Sequence, residues 1–315
     1  MRFSLVCAAL LSLQPAAGQW LAEAYPVPPN SKGAATEGGH LITWGEGLYR
    51  DGQRLHQAAF GPGGCLYDVN ADGYLDAILH RLPGDMVWLE GPRFAKARRI
   101  DTEADFADCL GASLFGRRGV IVVHRGMQVR FYLAPSAPAT DSSKWSYREI
   151  YSFYTSSYQA GLLLRDIEGD GFPDLVCGNY WIRSPKEFHL PWRLFAINTY
   201  HHTPESAHFR LQWIGGSLLA SQTEMQQGRL MRFTPHTDVT QQWTERLIAA
   251  GLERPRAAVW RNGDLLVSEG LNLWLYRRGS RMPLHRGLAI HSLIETEGGF
   301  LAIGASGALR LKQLP

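Results

Sequence analysis

One phrase recurs through this chain and limits its fold more than any other feature: a turn, an apolar strand, a Gly turn and a second strand. TEGGHLITWGEGLYR begins at Thr36 and TEGGFLAIGASGALR begins at Thr296. NGDLLVSEGLNLWLYRRG (from Asn262), RRGVIVVHRGMQVRFYLAP (from Arg117) and GGSLLASQTEMQQGRLMRF (from Gly215) share the form. ADGYLDAILHRLPGDMVWLEGP (from Ala71) and GDGFPDLVCGNYWIRSP (from Gly169) complete a set of seven. The leading glycines, Gly39, Gly73, Gly119, Gly171, Gly216, Gly263 and Gly299, recur every 43 or so residues on average, within the ~40–50 residues of a four-stranded propeller blade.

The strand runs are short, rich in Val, Ile, Leu, Tyr and Trp, and bounded by Gly and Pro. No amphipathic helix of useful length interrupts them, and WTERLIAA (from Trp243) reads as an outer strand. A small sheet with two apolar faces cannot bury both alone. Stacking such sheets radially in a closed ring buries both and leaves only short edges. The expected fold is therefore all-β: a β-propeller of seven blades, each a four-stranded antiparallel sheet, in one domain over residues 19–315. A β-sandwich or an open β-solenoid competes, but a sandwich has no need of sevenfold self-similarity. The TEGG match at both ends fits a ring whose first and last units are neighbours. Thirty-three glycines with 10 Trp and 12 Tyr suit many tight turns and short strands.

MRFSLVCAALLSLQPAAGQW opens the chain: one Arg, an apolar run to Leu13, then Ala16-Ala17-Gly18 at the cleavage positions. Residues 1–18 read as a secretory signal peptide, too short to span a membrane, and no later run reaches the ~20 apolar residues a spanning helix needs. A secreted or periplasmic protein is expected. A net charge of +3, with no Lys/Arg run beyond ARR and YRR, does not indicate nucleic acid as a partner. Behind the leader remain Cys65, Cys109 and Cys177. Cys65 and Cys109 each precede a Leu and open a strand in neighbouring repeats, which leaves a bridge between them open. The favoured reading treats all three as small buried hydrophobes.

Two repeats carry dense negative charge. DVNADGYLDAIL runs from Asp68 and DIEGDGFPDLVC from Asp166. In D-x-N-x-D-G-x-x-D, the side chains of Asp68, Asn70, Asp72 and Asp76 turn toward one point with the Tyr74 carbonyl. The second loop offers Asp166, Glu168, Asp170 and Asp174 with the Phe172 carbonyl. Two like charges ~4 Å apart repel by ~4 kcal/mol at an effective dielectric of ~20. Hard oxygens in this number suit Ca²⁺, so two structural Ca²⁺ sites are expected, the four-carboxylate loop binding more tightly. The loops are not EF-hands. Position twelve is Leu79 or Cys177, within an apolar strand, where an EF-hand needs Glu. Asp101, Glu103 and Asp105 are spaced like ligands, but no Gly follows, and they read as a solvated loop.

The two loops, each followed by an apolar strand, resemble the calcium loop of FG-GAP/VCBS repeat proteins. Phe60-Gly61-Pro62-Gly63-Gly64, just upstream of the first, loosely echoes that family's Phe-Gly…Gly-Ala-Pro element. The resemblance implies a β-propeller with Ca²⁺ between the first two strands of some blades, and carries the side chains above over as ligands. Glu168 departs mildly from the usual Asp or Asn.

No G-x-S-x-G, H-E-x-x-H, P-loop or dinucleotide fingerprint occurs. His201, His202 and His208 lie in a polar insertion and read as solvated surface. If the acidic loops mark one face, the turns between second and third strands mark the other. That places Trp44, Glu46, His80, Arg81, His124, Arg125, Asn179, Trp181, Glu224 and Glu269 around a channel mouth. Tyr154, Tyr158, Arg254 and Arg256 join them from the loops entering the inner strands. PSAPATDSSK (Pro135 to Lys144) and Ser184 to His208 read as loops. The expected function is binding of a protein or glycan at this face. The alternative is a polysaccharide lyase or glycosidase at the same mouth, using acids such as Glu46, Glu224 or Glu269.

Overall fold

The computed structural model describes residues 19–314, except 103, 107, 136–144, 154–160, 199–206, 225–226, 254 and 278; for 207–209, 222–224 and 227 only the backbone is described. The expected leader, Tyr154, Tyr158 and Arg254 therefore lie outside the described residues. The described chain forms seven four-stranded antiparallel sheets and no helix.

Strand β1 (Trp20–Tyr25) comes first. Blade 1 follows as β2 (Gly33–Glu37), β3 (His40–Trp44), β4 (Leu48–Arg50) and β5 (Gln53–His56). Blade 2 is β6 (Phe60–Tyr67), β7 (Asp76–Arg81), β8 (Asp85–Leu89) and β9 (Ala97–Asp101). Blade 3 is β10 (Cys109–Leu114), β11 (Arg117–His124), β12 (Gln128–Leu133) and β13 (Ser146–Ser152). Blade 4 is β14 (Leu162–Arg165), β15 (Asp174–Cys177), β16 (Tyr180–Arg183) and β17 (Arg193–Ala196). Blade 5 is β18 (Ala207–Ile214), β19 (Ser217–Glu224), β20 (Gln227–Thr234) and β21 (Thr244–Glu253). Blade 6 is β22 (Pro255–Arg261), β23 (Asp264–Glu269), β24 (Asn272–Arg277) and β25 (Ser280–Arg286). Blade 7 holds β26 (Ile290–Thr296), β27 (Gly299–Gly304) and β28 (Gly307–Gln313), and takes β1 as its outer strand.

The seven first strands touch one another in a closed circuit, β2 against β6 and so on round to β26 against β2. Strand alternation explains why that ring is stable. Val120 and Val122 of β11 pack toward blade 2 while Ile121 and Val123 pack toward blade 4. Phe300 and Ala302 of β27 face blade 6, and Leu301 and Ile303 face blade 1. Second strands are buried on both sides, so they read as unbroken apolar runs such as VIVV. Each of the seven apolar clusters fills one blade–blade interface. The cluster between blades 7 and 1 is the smallest, and a cleft of about 770 Å³ lies beside it, edged by Tyr25, Glu295 and Arg310.

Ring closure depends on β1. It pairs antiparallel with β28 from Trp20 opposite Gln313 to Tyr25 opposite Ala308. The Trp20 indole N–H donates to the buried Asp264 carboxylate at 2.7 Å, and Arg277 pairs with the same carboxylate. A disulfide joins Cys65 to Cys109, tying β6 to β10 across the blade 2–blade 3 boundary with Cα atoms 5.3 Å apart. This corrects the reading of three unpaired cysteines: neighbouring first strands bring the two residues into range. Among the described residues, Cys177 is the one free cysteine, and it is buried.

Two glycines were out of phase. In blades 3 and 7 the turns use Gly116 and Gly298, both with positive φ. Gly119 lies inside β11, where a Cβ would stand 2.0 Å from the Tyr132 carbonyl oxygen, so close packing requires it. The segment from Ser184 to His208 is not loop throughout, since it carries β17 and the start of β18.

Candidate functional site

The lower face of the ring holds the connections from first to second and from third to fourth strand. The upper face holds those from second to third strand and from blade to blade. Both acidic loops lie on the lower face, between β6 and β7 and between β14 and β15.

The two loops fold alike. Asp68 accepts the backbone N–H groups of Asp72 (3.2 Å) and Gly73 (3.1 Å), and Asp166 accepts those of Asp170 (3.1 Å) and Gly171 (2.9 Å). Asp72 accepts from Tyr74, and Asp170 from Phe172. Gly73 and Gly171 supply the positive φ the turn needs. The ninth-position acids repeat the pattern most closely. Asp76 accepts Val69 N–H at 3.1 Å and Gly91 N–H at 2.8 Å; Asp174 accepts Ile167 N–H at 3.0 Å and Ser184 N–H at 2.8 Å. Each thus joins the first lower connection of its blade to the second. Both are fully buried, and burial pushes each carboxyl up to about 6 against the opposing pull of those amides.

Arginines supply part of the neutralisation. Arg183 holds Glu168 at 2.5 Å, and Arg118 of blade 3 stands 3.4 Å from Asp68. Asn70 donates to Asp72 and to Glu90, and Arg98 pairs with Glu90. The donor types suit calcium, but among the described residues no three acidic side chains converge closely enough to hold a metal. Glu168, the fourth carboxylate of the second loop, is the one paired with Arg183.

The proposed upper rim divides sharply. Trp44 is buried between blades 1 and 2, and Trp181 is buried against Phe195, ring centroids 4.7 Å apart. His124 is buried beside the Tyr132 hydroxyl at 3.4 Å, and burial holds its imidazole below the usual range. Asn179 is buried too. These four are core residues, not rim, because a propeller sheet has a neighbouring blade on each face and its strand ends offer no solvent side. Glu269 is also buried, accepting Glu253 N–H at 2.8 Å and pairing with Arg281, whose guanidinium lies over Trp274 at 3.7 Å. Arg81 pairs with Asp85. Glu46 is exposed and accepts from Asn30 at 2.6 Å. Arg256 is exposed, and among the described residues no hydrogen bond or ion pair engages it. The Glu224 side chain and Tyr158 lie outside what is described. His80, buried against Phe106, has no hydrogen-bond partner for either ring nitrogen among the described residues.

Residues not singled out from the sequence also mark this face. Leu82, Met127 and Leu271 sit on three of its turns at 39%, 36% and 59% exposure. Apolar residues in turns carry no sequence signal that separates them from covered ones.

No family model matches the chain, and no curated protein matches it. Solved structures do. YCF48 from Cyanidioschyzon merolae is similar at TM-score 0.59 and 12% identity, over 94% of this chain and 99% of that one. YCF48 bound to a D1 peptide is similar at 0.57 and 9%, over 94% and 97%. BBS1N in complex with ARL6DN is similar at 0.57 and 11%, over 95% and 98%. At these identities the likeness shows the seven-bladed propeller fold. No helix among the described residues is long and apolar enough to cross a membrane.

Proposed function

We propose that this chain is a secreted propeller that binds a protein partner through its upper face. The observation that carries the reading is the trio Leu82, Met127 and Leu271, exposed on turns of blades 2, 3 and 6, on the same face as the uncommitted Arg256. Large apolar side chains and Arg on one face are what protein interfaces use as anchors. Two similar propellers were solved with protein partners, the D1 peptide on YCF48 and ARL6DN on BBS1N. Panning a phage-displayed random peptide library on the folded protein tests it. Selected peptides are expected to bind Leu271→Asp about tenfold more weakly than wild type, since an interface anchor is worth 1–2 kcal/mol or more. Equal binding by Leu271→Asp and Met127→Asp, with melting curves unchanged, removes the upper face as the site.

Export is supported by the composition of residues 1–18 and by the Cys65–Cys109 bridge, a bond that persists in oxidising compartments. N-terminal sequencing of protein recovered outside the cytoplasm should begin at Gln19.

Calcium completes the proposal as a structural ion in blades 2 and 4, as the FG-GAP/VCBS resemblance implies. Its support is the two congruent loops with their oxygen-rich donors. Asp68, Asn70, Asp72, Asp76 and the Tyr74 carbonyl would hold one ion; Asp166, Glu168, Asp170, Asp174 and the Phe172 carbonyl would hold the other. Bound there, calcium would cancel the loop charge and stiffen the lower connections of each blade.

A further inference from the structure

The first strands of three consecutive blades slip register at the same step. The shift lies between His208 and Arg210 in β18, between Pro255 and Ala257 in β22, and between Ile290 and Ser292 in β26. Bulges re-aim side chains, and they gather at functional rims. Here Arg256 and His291 occupy the bulged positions, and Arg210 follows one directly. All three lie in the upper half of strands that run from the upper face down along the central axis.

These residues are joined in space. Arg210 reaches past blade 6 to donate to the Leu293 carbonyl of blade 7 at 3.4 Å. His291 donates from Nε2 to the Ser31 carbonyl at 3.0 Å, which brings the arc to Lys32, exposed at the start of blade 1. Burial, with the charges of Arg256 and Arg210 beside it, holds the His291 imidazole below its usual range. His291 is therefore neutral at pH 7, and the positive charge of the arc belongs to Arg210, Arg256 and Lys32. Across the axis, blade 2 enters its first strand with Gly61 and blade 4 with Gly161, neither of which carries a side chain.

Three acids on this face are already committed, while Glu46, Asp105 and Glu253 are exposed. Asp108 accepts the N–H groups of Cys109, Gly161 and Leu162 at 2.9, 2.9 and 3.0 Å, and Arg210 stands close enough to act on it. Glu269 is held by Arg281 and Asp85 by Arg81. Neither Arg256 nor Lys32 forms an ion pair among the described residues. Two or three cations packed on one edge of a channel mouth raise the local potential and attract an anion. The apolar side chains of Leu82, Met127 and Leu271 on the same face favour a polypeptide over a sulfated sugar or a membrane.

We infer that the upper channel mouth takes an acidic segment of a protein partner, its carboxylates facing Arg210, Arg256 and Lys32. This deepens the protein-binding reading and rests on it. The phage panning described above distinguishes their failures. Peptides enriched on wild type are expected to be rich in Asp and Glu. A synthetic copy of the strongest should bind Arg256→Glu and Lys32→Glu about tenfold more weakly and lose affinity as salt rises. Arg246→Glu, a charge reversal on the exposed outer strand of blade 5, should leave binding unchanged. Enriched peptides that are neutral or basic, or that bind Arg256→Glu as wild type does, overturn this inference while leaving protein binding standing. No enrichment of any peptide overturns both.

Discussion

Asp76 and Asp174 do the same work in two blades, and their burial makes that work depend on pH. Each carboxyl titrates at about 6 in the folded chain, against an ordinary value of 3.8. Between those values the folded state holds more protons than the unfolded state, so stability falls as pH rises from about 4 to about 6. In chelator, two pH units correspond to about 3 kcal/mol per residue at most. Urea melts at pH 4.5 and 6.5 should show wild type losing more stability on the way up than Asp76→Asn/Asp174→Asn does. Equal losses would remove these two acids as the source. Single residues were also where sequence reasoning was weakest. Trp44, His124, Asn179 and Trp181 sit beside turns in the sequence, and only the packing of the next blade shows that they are buried. Gly119 shows the same limit, because a glycine needed for close packing looks like one needed for a turn.

At the scale of elements, two cross-links decide which strands stay together. The Cys65–Cys109 bridge closes a 44-residue separation between neighbouring inner strands. A loop of that size constrains the unfolded chain by about 4 kcal/mol in the entropic account. Cys65→Ser/Cys109→Ser should therefore lower the urea midpoint and steepen the slope, since the unbridged unfolded chain exposes more surface, and a reducing agent should do the same to wild type alone. The second link is the Trp20–Asp264 hydrogen bond, which fastens β1 to blade 6. Trp20→Phe leaves the ring but removes the donor to a buried acid, a loss of about 1–3 kcal/mol. Protease should then cut near Trp20 before any other blade opens; uniform digestion of all blades would contradict the link. Strand order within blades was legible, since turn glycines and paired apolar runs fix it locally. The placement of β1 was not. WLAEAY alternates like any outer strand, and nothing within reach of it in sequence names β28 as its partner.

For the whole molecule, sevenfold repetition made the architecture readable, because a sheet that is apolar on both sides has few ways to be covered. Function was far less readable, since ligands meet a propeller at turn tips whose residues repeat no pattern. The calcium proposal is tested at this scale. EGTA should lower the melting temperature, and added calcium should restore it and raise it with concentration, as a ligand of the native state must. Asp170→Ala should abolish more of that response than Asp101→Ala, because Asp101 is engaged with Arg130 and Tyr132 on the outer part of blade 2. A melting curve indifferent to both additions leaves the loops to their own amides and guanidiniums.

The outermost strand of the seventh blade comes from the opposite end of the chain. During synthesis, Trp20–Tyr25 emerges before the other strands of the domain and then waits, since its partner Ala308–Gln313 follows all of them. No nascent fragment can satisfy it, however many blades have already stacked. Ring closure must therefore wait until that partner has been made, and a chain arrested before it presents a lone β-segment to chaperones and proteases.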